Sequence, residues 1–511
     1  MSPDVSLGNW LRQRAIRSPK RRAITFEGTT LTYGELQERI DRVAVVLRGG
    51  GIRAGDRVGY LGFNHPAFIE TMFATARLGA IFVPLNFRLT GPELQFIVDD
   101  AGCHTMVADS NHLDVLDTIR GDVSVRRWLS VETIDKLRDG WDDYATALAA
   151  VDEPLGDTPP VDADATSVIM YTSGTTGLPK GAMLTHGNFW WNNANCAHTL
   201  DILEDDVSLV FAPLFHIGGL NVTTLLTLQK GGEVVLHRSF DPALALTDVP
   251  KYDVTTIFGV PAMFLFISQL PQFNDADLTS IRMLICGGAP VPEPLMKAFA
   301  GRGIPINQGY GLTETAPMVS FLTSEFGMEK IGSAGKTPLF CEVKLVDVDG
   351  NDVTEPDVKG EVCVAGPNVM KGYWNRPDAT ADAIDPTGWF HTGDVGYLDR
   401  DGFLFIADRV KDMVISGGEN VYPAEVESVL YDHPAIVEVA VIGVADERWG
   451  EAVTAVAVVK EGEDLTLDGL RDFATDKLAR YKLPTKLEVI DVIPRNASGK
   501  VLKRELRDRF G

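Results

Sequence analysis

Apolar positions recur at two periods along this chain, and the switching between them sets the first expectation. Leu36, Ile40, Val43 and Leu47 repeat at helical spacing behind Thr32-Tyr-Gly-Glu35, which has capping-box form, and the run stops at Gly49-Gly-Gly51. Short apolar runs at 57–62, 81–85 and 105–108 read as strands, with helices after His65 and over 93–100. Strands alternating with helices predict an α/β fold with mostly parallel sheets. Similar strands recur at 208–212, 255–259 and 282–286, each ending just before a Gly-rich or His-containing segment. The C-terminal ends of strands in open sheets are where ligands bind.

From about residue 340 the pattern changes to short strands and turns, at 342–348 and 360–365, which predicts antiparallel pairing. The last hundred residues read as a separate α+β unit: a helix over 423–431, strands over 438–444 and 453–460, and a helix ending near Lys482. The expected division is a large domain over 1–407, a boundary at 408–412 and a small domain over 413–511. A chain of 511 residues exceeds what one core usually supports. No internal repeat is visible, and no linker suggests an appended carrier domain.

Apolar residues at 45% and charged residues at 23% describe an ordinary globular protein. The net charge of −24 argues against nucleic acid as a partner, since that affinity depends on clustered Lys and Arg. The most apolar long stretch, 68–87, is broken by Glu70 and Arg77, so no stable membrane insertion is expected. Arg12, Arg14, Arg17, Lys20, Arg21 and Arg22 are followed by no apolar run of the signal-peptide kind. Cys103, Cys196, Cys286, Cys341 and Cys363 lack metal-ligand or pairing spacing. The expectation is a cytoplasmic protein with reduced thiols.

The least ordinary segment is Tyr171-Thr-Ser-Gly-Thr-Thr-Gly-Leu-Pro-Lys-Gly181. Small residues let a backbone curl its N–H groups toward one anion, while hydroxyls and a Lys ammonium add donors. This reads as a polyphosphate cradle. It is not a Walker A loop, because the fifth residue after Gly174 is Pro179 where that pattern needs Gly before Lys. No Gly-x-Ser-x-Gly, His-Glu-x-x-His or Cys-x-x-Cys is present to support another enzyme class.

Six further segments follow in order: Ala212-Pro-Leu-Phe-His-Ile-Gly-Gly219, Cys286-Gly-Gly-Ala-Pro290, Asn307-Gln-Gly-Tyr-Gly-Leu-Thr-Glu314, Trp389-Phe-His-Thr-Gly-Asp394, Asp408-Arg-Val-Lys-Asp-Met-Val-Ile-Ser-Gly-Gly-Glu-Asn-Val-Tyr-Pro423 and Pro494-Arg-Asn-Ala-Ser-Gly-Lys500. Together with the cradle they resemble the adenylate-forming superfamily of acyl-CoA synthetases, peptide-synthetase adenylation domains and luciferases, over the whole chain. The resemblance implies a large N-terminal domain with a β-rich subdomain and a small mobile C-terminal lid. It implies ATP, Mg²⁺ and coenzyme A: a carboxylate attacks the α-phosphate to give acyl-AMP and pyrophosphate, and the CoA sulfur then displaces AMP.

Carried over position by position, Thr172, Ser173, Gly174, Thr175, Thr176 and Lys180 hold the phosphates, and Glu314 with Thr172 holds the metal. Gly287, Gly288 and Ala289 lie against the adenine with Tyr310 stacked on its other face, Gln308, Gly309 and Gly311 also bind the nucleotide, and Thr313 touches the α-phosphate. Asp394, assisted by Arg409, receives the ribose hydroxyls, an acceptor-only carboxylate being suited to two donors. Lys500 is the implied catalytic lysine, Lys411 the hinge, and His216 either gates the acyl pocket or helps to place the substrate carboxylate. Ser416, Gly417, Gly418 and Trp449 fall on the CoA side. The acyl pocket is expected from His216, Gly218, Gly219, Phe258, Gly311 and Met318, with the two glycines leaving space for the acid. Likeness to fatty-acyl-CoA synthetases and hydroxycinnamoyl-CoA ligases ranks a medium- or long-chain fatty acid first and an aromatic acid second. An acyl carrier protein is the alternative acceptor, a nucleotide-sensing module the non-enzymatic reading, and the assembly either a monomer or a homodimer.

Overall fold

The computed structural model describes residues 4–132, 137–172, 178–409, 412–416, 419–446, 450–495 and 501–511. The chain packs as two units, one of residues 1–343 with 364–390 and one of residues 344–363 with 391–511. The β-rich stretches 344–363 and 391–407, assigned from sequence to the large domain, thus pack with the C-terminal hundred residues. Their strands form one sheet with Leu404–Arg409, which carries the chain into the 408–412 segment.

The first unit holds two eight-stranded sheets. One runs Met318–Leu322, Ile306–Gly311, Met283–Gly287, Thr256–Gly259, Val207–Val210, Glu233–Leu236, Arg22–Phe26, Thr29–Thr32. Its interior pairs are parallel and its two edge pairs antiparallel. The other runs Gly372–Tyr373, Lys180–Thr185, Thr166–Thr172, Ile81–Leu85, Arg57–Leu61, Cys103–Asp109, Arg127–Val131, Asp142–Asp143. It too is parallel apart from the two pairs beside the phosphate loop. Parallel strands buried on both faces read as continuous apolar runs, which is how they stand in the sequence.

Helix Tyr33–Gly49 starts where the capping box places it: Glu35 Oε2 accepts from the Thr32 N–H at 2.8 Å, and Thr32 Oγ1 accepts from the Glu35 N–H. Its Leu36, Ile40 and Leu47 share a core with Phe68 and Phe73 of helix Pro66–Arg77 and Phe82 of the neighbouring strand. Glu70, which interrupts that apolar helix, is fully buried. Arg39 Nε at 2.6 Å and the Tyr144 hydroxyl at 2.8 Å satisfy it. Among the described residues no helix is long and apolar enough to cross a membrane, and all five cysteines are buried and outside any disulfide.

In the second unit, strands Ile436–Asp446 and Gly450–Val459 form a long antiparallel pair backed by helix Pro423–Leu430. The helix expected to reach Lys482 ends at Ala474, and only a single 3₁₀ turn, Arg480–Lys482, follows. Pro484 ends that turn, since the residue before a proline is pushed to extended backbone and Leu483 sits at ψ 135°. Strand Lys486–Val489 and helix Lys503–Phe510 add elements that the periodicity did not reveal.

Candidate active site

Strands Thr166–Thr172 and Lys180–Thr185 form an antiparallel hairpin whose last pair is Thr172 with Lys180. Ser173, Gly174, Thr175 and Thr176, between them, lie outside the described residues, as do Lys411, Gly417, Gly418, Trp449 and Lys500. Thr172 meets Glu314 directly, and Lys180 is linked to it through Tyr373. The Thr172 hydroxyl stands 3.4 Å from Glu314 Oε1, and the Tyr373 hydroxyl donates to the same oxygen at 3.0 Å. Lys180 Nζ sits 5.1 Å from the centre of the Tyr373 ring. Burial, then the neighbouring Glu314 carboxylate, raises the Tyr373 phenol pKa, so this group stays a donor. Glu314 itself is buried, on a one-turn 3₁₀ segment, Thr313–Thr315, directly after strand Ile306–Gly311.

That turn is held by buried amides which sequence reading did not single out. Asn368 Nδ2 donates to the carbonyls of Thr315 and Met318 at 2.8 and 2.9 Å, and Asn221 Nδ2 donates to the Ala316 carbonyl at 2.6 Å. Asn192 accepts from the Met318 N–H at 3.0 Å and donates to the Asn221 carbonyl at 2.9 Å. A signal was present. Helix His186–Thr199 carries Asn188, Asn192, Asn193 and Asn195, and asparagine is a poor helix former unless its amide is needed elsewhere. Tyr373 gave no such signal, since a lone tyrosine beside tryptophan reads as core.

The parallel strands bring the other expected residues of this unit to one edge. Phe258 pairs with Ile285, and Gly287 with Gly309. Gly288 has φ +82° and is exposed with Ala289. A Cβ on Gly287 would lie 2.8 Å from the Gly309 carbonyl, so bare backbone is required there. Tyr310 and Thr313 are half-buried beside it. Gln308 is turned inward, its amide 3.5 Å from Met296 Sδ. A Cβ on Gly311 would meet the Pro317 carbonyl at 1.7 Å, so this glycine serves the turn between the edge strands.

His216 is half-buried, its ring 4.3 Å from that of Phe215. Burial first, and the Arg88 charge second, lower its pKa to about 4, which leaves a neutral imidazole at physiological pH. The two glycines beyond it differ. A Cβ on Gly218 would come 2.9 Å from the tip of the Phe258 ring, whereas one on Gly219 would meet the Pro213 carbonyl oxygen at 2.4 Å. Contrary to the sequence expectation, Gly219 therefore does not leave space for an acid. It lets the first turn of the π-helical segment Gly219–Thr224 pack on the chain before it. Met318 packs with Phe258, Ile285 and Cys196 in one buried cluster.

In the second unit, Asp394 is buried and pairs across the sheet with Arg409. Its N–H donates to Thr392 Oγ1 at 3.0 Å, and that hydroxyl donates to the Val362 carbonyl at 2.7 Å. Glu361 holds the same turn from the other side: Oε1 accepts from the Gly393 N–H at 3.0 Å, and Oε2 lies 2.9 Å from His391 Nδ1. Sequence reading missed Glu361 because nothing local ties it to the 389–394 segment. Ser416 is buried and pairs with Glu419 and Gly450.

Among the described residues, two groups could hold a cation. Glu314 with Thr172 offers only oxygen, as magnesium prefers. Glu361, Cys363 and His391 have donor atoms within 4.8 Å of one another, but Glu361 is already engaged with His391 and Gly393.

The AMP-binding enzyme family matches residues 11–374, and the AMP-binding enzyme C-terminal domain matches residues 425–500. A feruloyl-CoA synthase from an Amycolatopsis species is 47% identical over 505 residues, covering 99% of both chains. A long-chain-fatty-acid–CoA ligase of Mycobacterium tuberculosis is 39% identical over 512 residues, covering 99% of this chain and 98% of the other. Among solved structures, o-succinylbenzoate CoA synthetase from Bacillus subtilis, in complex with its acyl-adenylate, is 37% identical with a TM-score of 0.87 over 98% of both chains. With both family matches in order and such relatives along its whole length, the chain belongs to the AMP-binding enzyme family.

Proposed function

We propose that this protein is an AMP-forming ligase that joins an aromatic carboxylic acid of the hydroxycinnamate type to coenzyme A. The observation that carries the chemistry is the convergence of Thr172, Lys180 and Glu314 where the hairpin of one sheet meets the turn after a strand of the other, since a polyphosphate cradle needs a cation, hydroxyl donors and a metal-binding carboxylate. Adenylation brings together two anions, so donors aimed at the reacting phosphate dominate the barrier. Lys180 and the 172–176 segment hold the outer phosphates. Gly287 to Ala289 and Tyr310 receive adenine, and Asp394, opposite Arg409, accepts from the ribose hydroxyls. A divalent cation held by Glu314 and Thr172 supplies further charge neutralisation at the phosphates. In this reading Lys500 assists acyl-AMP formation and residues 408–412 are the hinge of a lid that alternates between half-reactions. Ser416 to Gly418 and Trp449 then face CoA.

The acid is where the first reading from sequence changes. The feruloyl-CoA relative is more similar than the fatty-acid one, and the solved succinylbenzoate enzyme also takes an aromatic acid. A neutral His216 beside the apolar Phe258 and Met318, with the Phe258 ring packed against Gly218, supports a flat aromatic acid. The five buried thiols support a cytoplasmic setting. The test is pyrophosphate release across hydroxycinnamates, arylacetates and a series of fatty acids, with CoA, with a pantetheinylated carrier protein, or with neither. A thioester formed fastest from ferulate-type acids and CoA is expected. Preference for a long aliphatic chain would overturn the aromatic reading, and ADP as first product would overturn adenylation itself.

A further inference from the structure

We propose that Tyr373 is a positioning residue for Glu314, fixing which carboxylate oxygen faces a divalent cation and holding Lys180 beside it. The inference rests on the reading of Glu314 as the metal ligand. Both hydroxyls at this carboxylate, those of Tyr373 and Thr172, converge on Oε1. Among the described residues Oε2 receives no hydrogen bond, so its lone pairs are the ones left for a hard cation. A carboxylate on a free side chain can turn either oxygen toward a metal. Anchoring one oxygen removes that freedom before any ligand binds.

Tyr373 is itself anchored. Its strand, Gly372–Tyr373, pairs with Lys180–Thr185 so that Tyr373 lies opposite Ala182, two residues from Lys180. Its N–H donates to Thr380 Oγ1 at 2.9 Å, and the next N–H, of Trp374, donates to the Gly181 carbonyl at 2.8 Å. Asp100 ties both flanks, accepting from the Tyr171 hydroxyl at 2.7 Å and from Arg376 at 2.6 Å. The Met370 N–H donates to the Glu314 carbonyl at 2.7 Å, so the segment ahead of Tyr373 fixes the backbone of Glu314 while Tyr373 fixes its side chain. The ring face then gives the Lys180 ammonium a resting place that does not neutralise it, as an ion pair with Glu314 would.

The experiment measures Mn²⁺ affinity by electron paramagnetic resonance, in enzyme saturated with α,β-methylene-ATP, and analogue affinity in EDTA. Tyr373→Phe keeps the ring and removes the hydroxyl. It is expected to weaken Mn²⁺ binding on the order of tenfold, the loss of one hydrogen bond to a charged group, while analogue affinity without metal stays within about twofold. Tyr373→Leu is expected to weaken the metal-free affinity as well, because Lys180 loses its ring. Unchanged Mn²⁺ affinity in Tyr373→Phe, or equal weakening of metal and metal-free nucleotide, would overturn the proposal. Glu314→Gln separates the two readings. If it leaves Mn²⁺ affinity intact, Glu314 is not the ligand. If it abolishes binding while Tyr373→Phe does nothing, only the role of Tyr373 fails.

Discussion

Gly218 and Gly219 are adjacent and chemically identical, yet the chain uses them differently. Gly218 faces the movable edge of Phe258, and Gly219 faces the backbone of Pro213. Gly218→Ala is therefore expected to fold normally and to push the Phe258 ring into the pocket, lowering kcat/KM for a hydroxycinnamate relative to a short aliphatic acid by about tenfold, on the order of the 1–3 kcal/mol that one methylene decides in a pocket. Gly219→Ala should leave the preference unchanged and cost about 1–3 kcal/mol of stability through overpacking. Acid-series kinetics and denaturant midpoints of the two variants check this. The reverse pattern would mean that the pocket lies elsewhere.

At the scale of elements, helix His186–Thr199 is a scaffold for backbone groups that no ladder satisfies. Asn192 meets the Met318 N–H and the Asn221 carbonyl, so Asn192→Ala orphans two buried groups. A loss of about 1–3 kcal/mol per group, summing to about 2–6, is expected from urea midpoints. A loss within experimental error would show that water replaces the amide. The first residue of the same helix, His186, accepts at Nδ1 from the Leu7 N–H at 3.2 Å and so fastens helix Leu7–Arg17. Burial lowers its pKa to about 4, below the ordinary 6.5 of the unfolded chain. Between those values the unfolded state binds more protons, so stability must fall as pH drops from about 6.5 towards 4. Glutamine at this position keeps an acceptor and does not titrate. His186→Gln should flatten part of that slope, as read from unfolding at pH 7, 6, 5 and 4.5, and a slope equal to wild type would remove His186 as its source.

At the scale of the whole molecule, the two half-reactions should respond separately to changes in the C-terminal segments. Loss of one positive group aimed at the transition state typically costs on the order of 10²–10³-fold in rate. Lys500→Ala is expected to slow acyl-AMP formation by that much, while supplied acyl-AMP is still converted to acyl-CoA near the normal rate. Lys411→Pro restricts φ at the proposed hinge. If it holds the adenylation pose, acyl-AMP accumulates and thioester formation stalls. Rapid-quench assays of each half-reaction check both variants, and equal losses in the two steps would end the alternation proposal.

What the sequence determined by itself was local. The capping box at Thr32, the helical repeat of Leu36, Ile40 and Leu47, and the apolar strands before each motif follow from neighbouring residues, and the structure has them at those places. The seven ordered motifs also announced the family, because a phosphate cradle needs small and hydroxylated residues in one short run. Sequence could not tell which way a glycine's missing side chain would point, since the Pro213 carbonyl behind Gly219 is placed by the path of the backbone. Nor could it join Tyr373 to Glu314, Asn368 to Thr315 or Glu361 to Gly393. Those partners lie far apart along the chain and meet only because strand order brings their edges together. Local pattern fixes the period of an element, whereas the neighbour across a sheet is decided by which strands pair, a property of the whole fold.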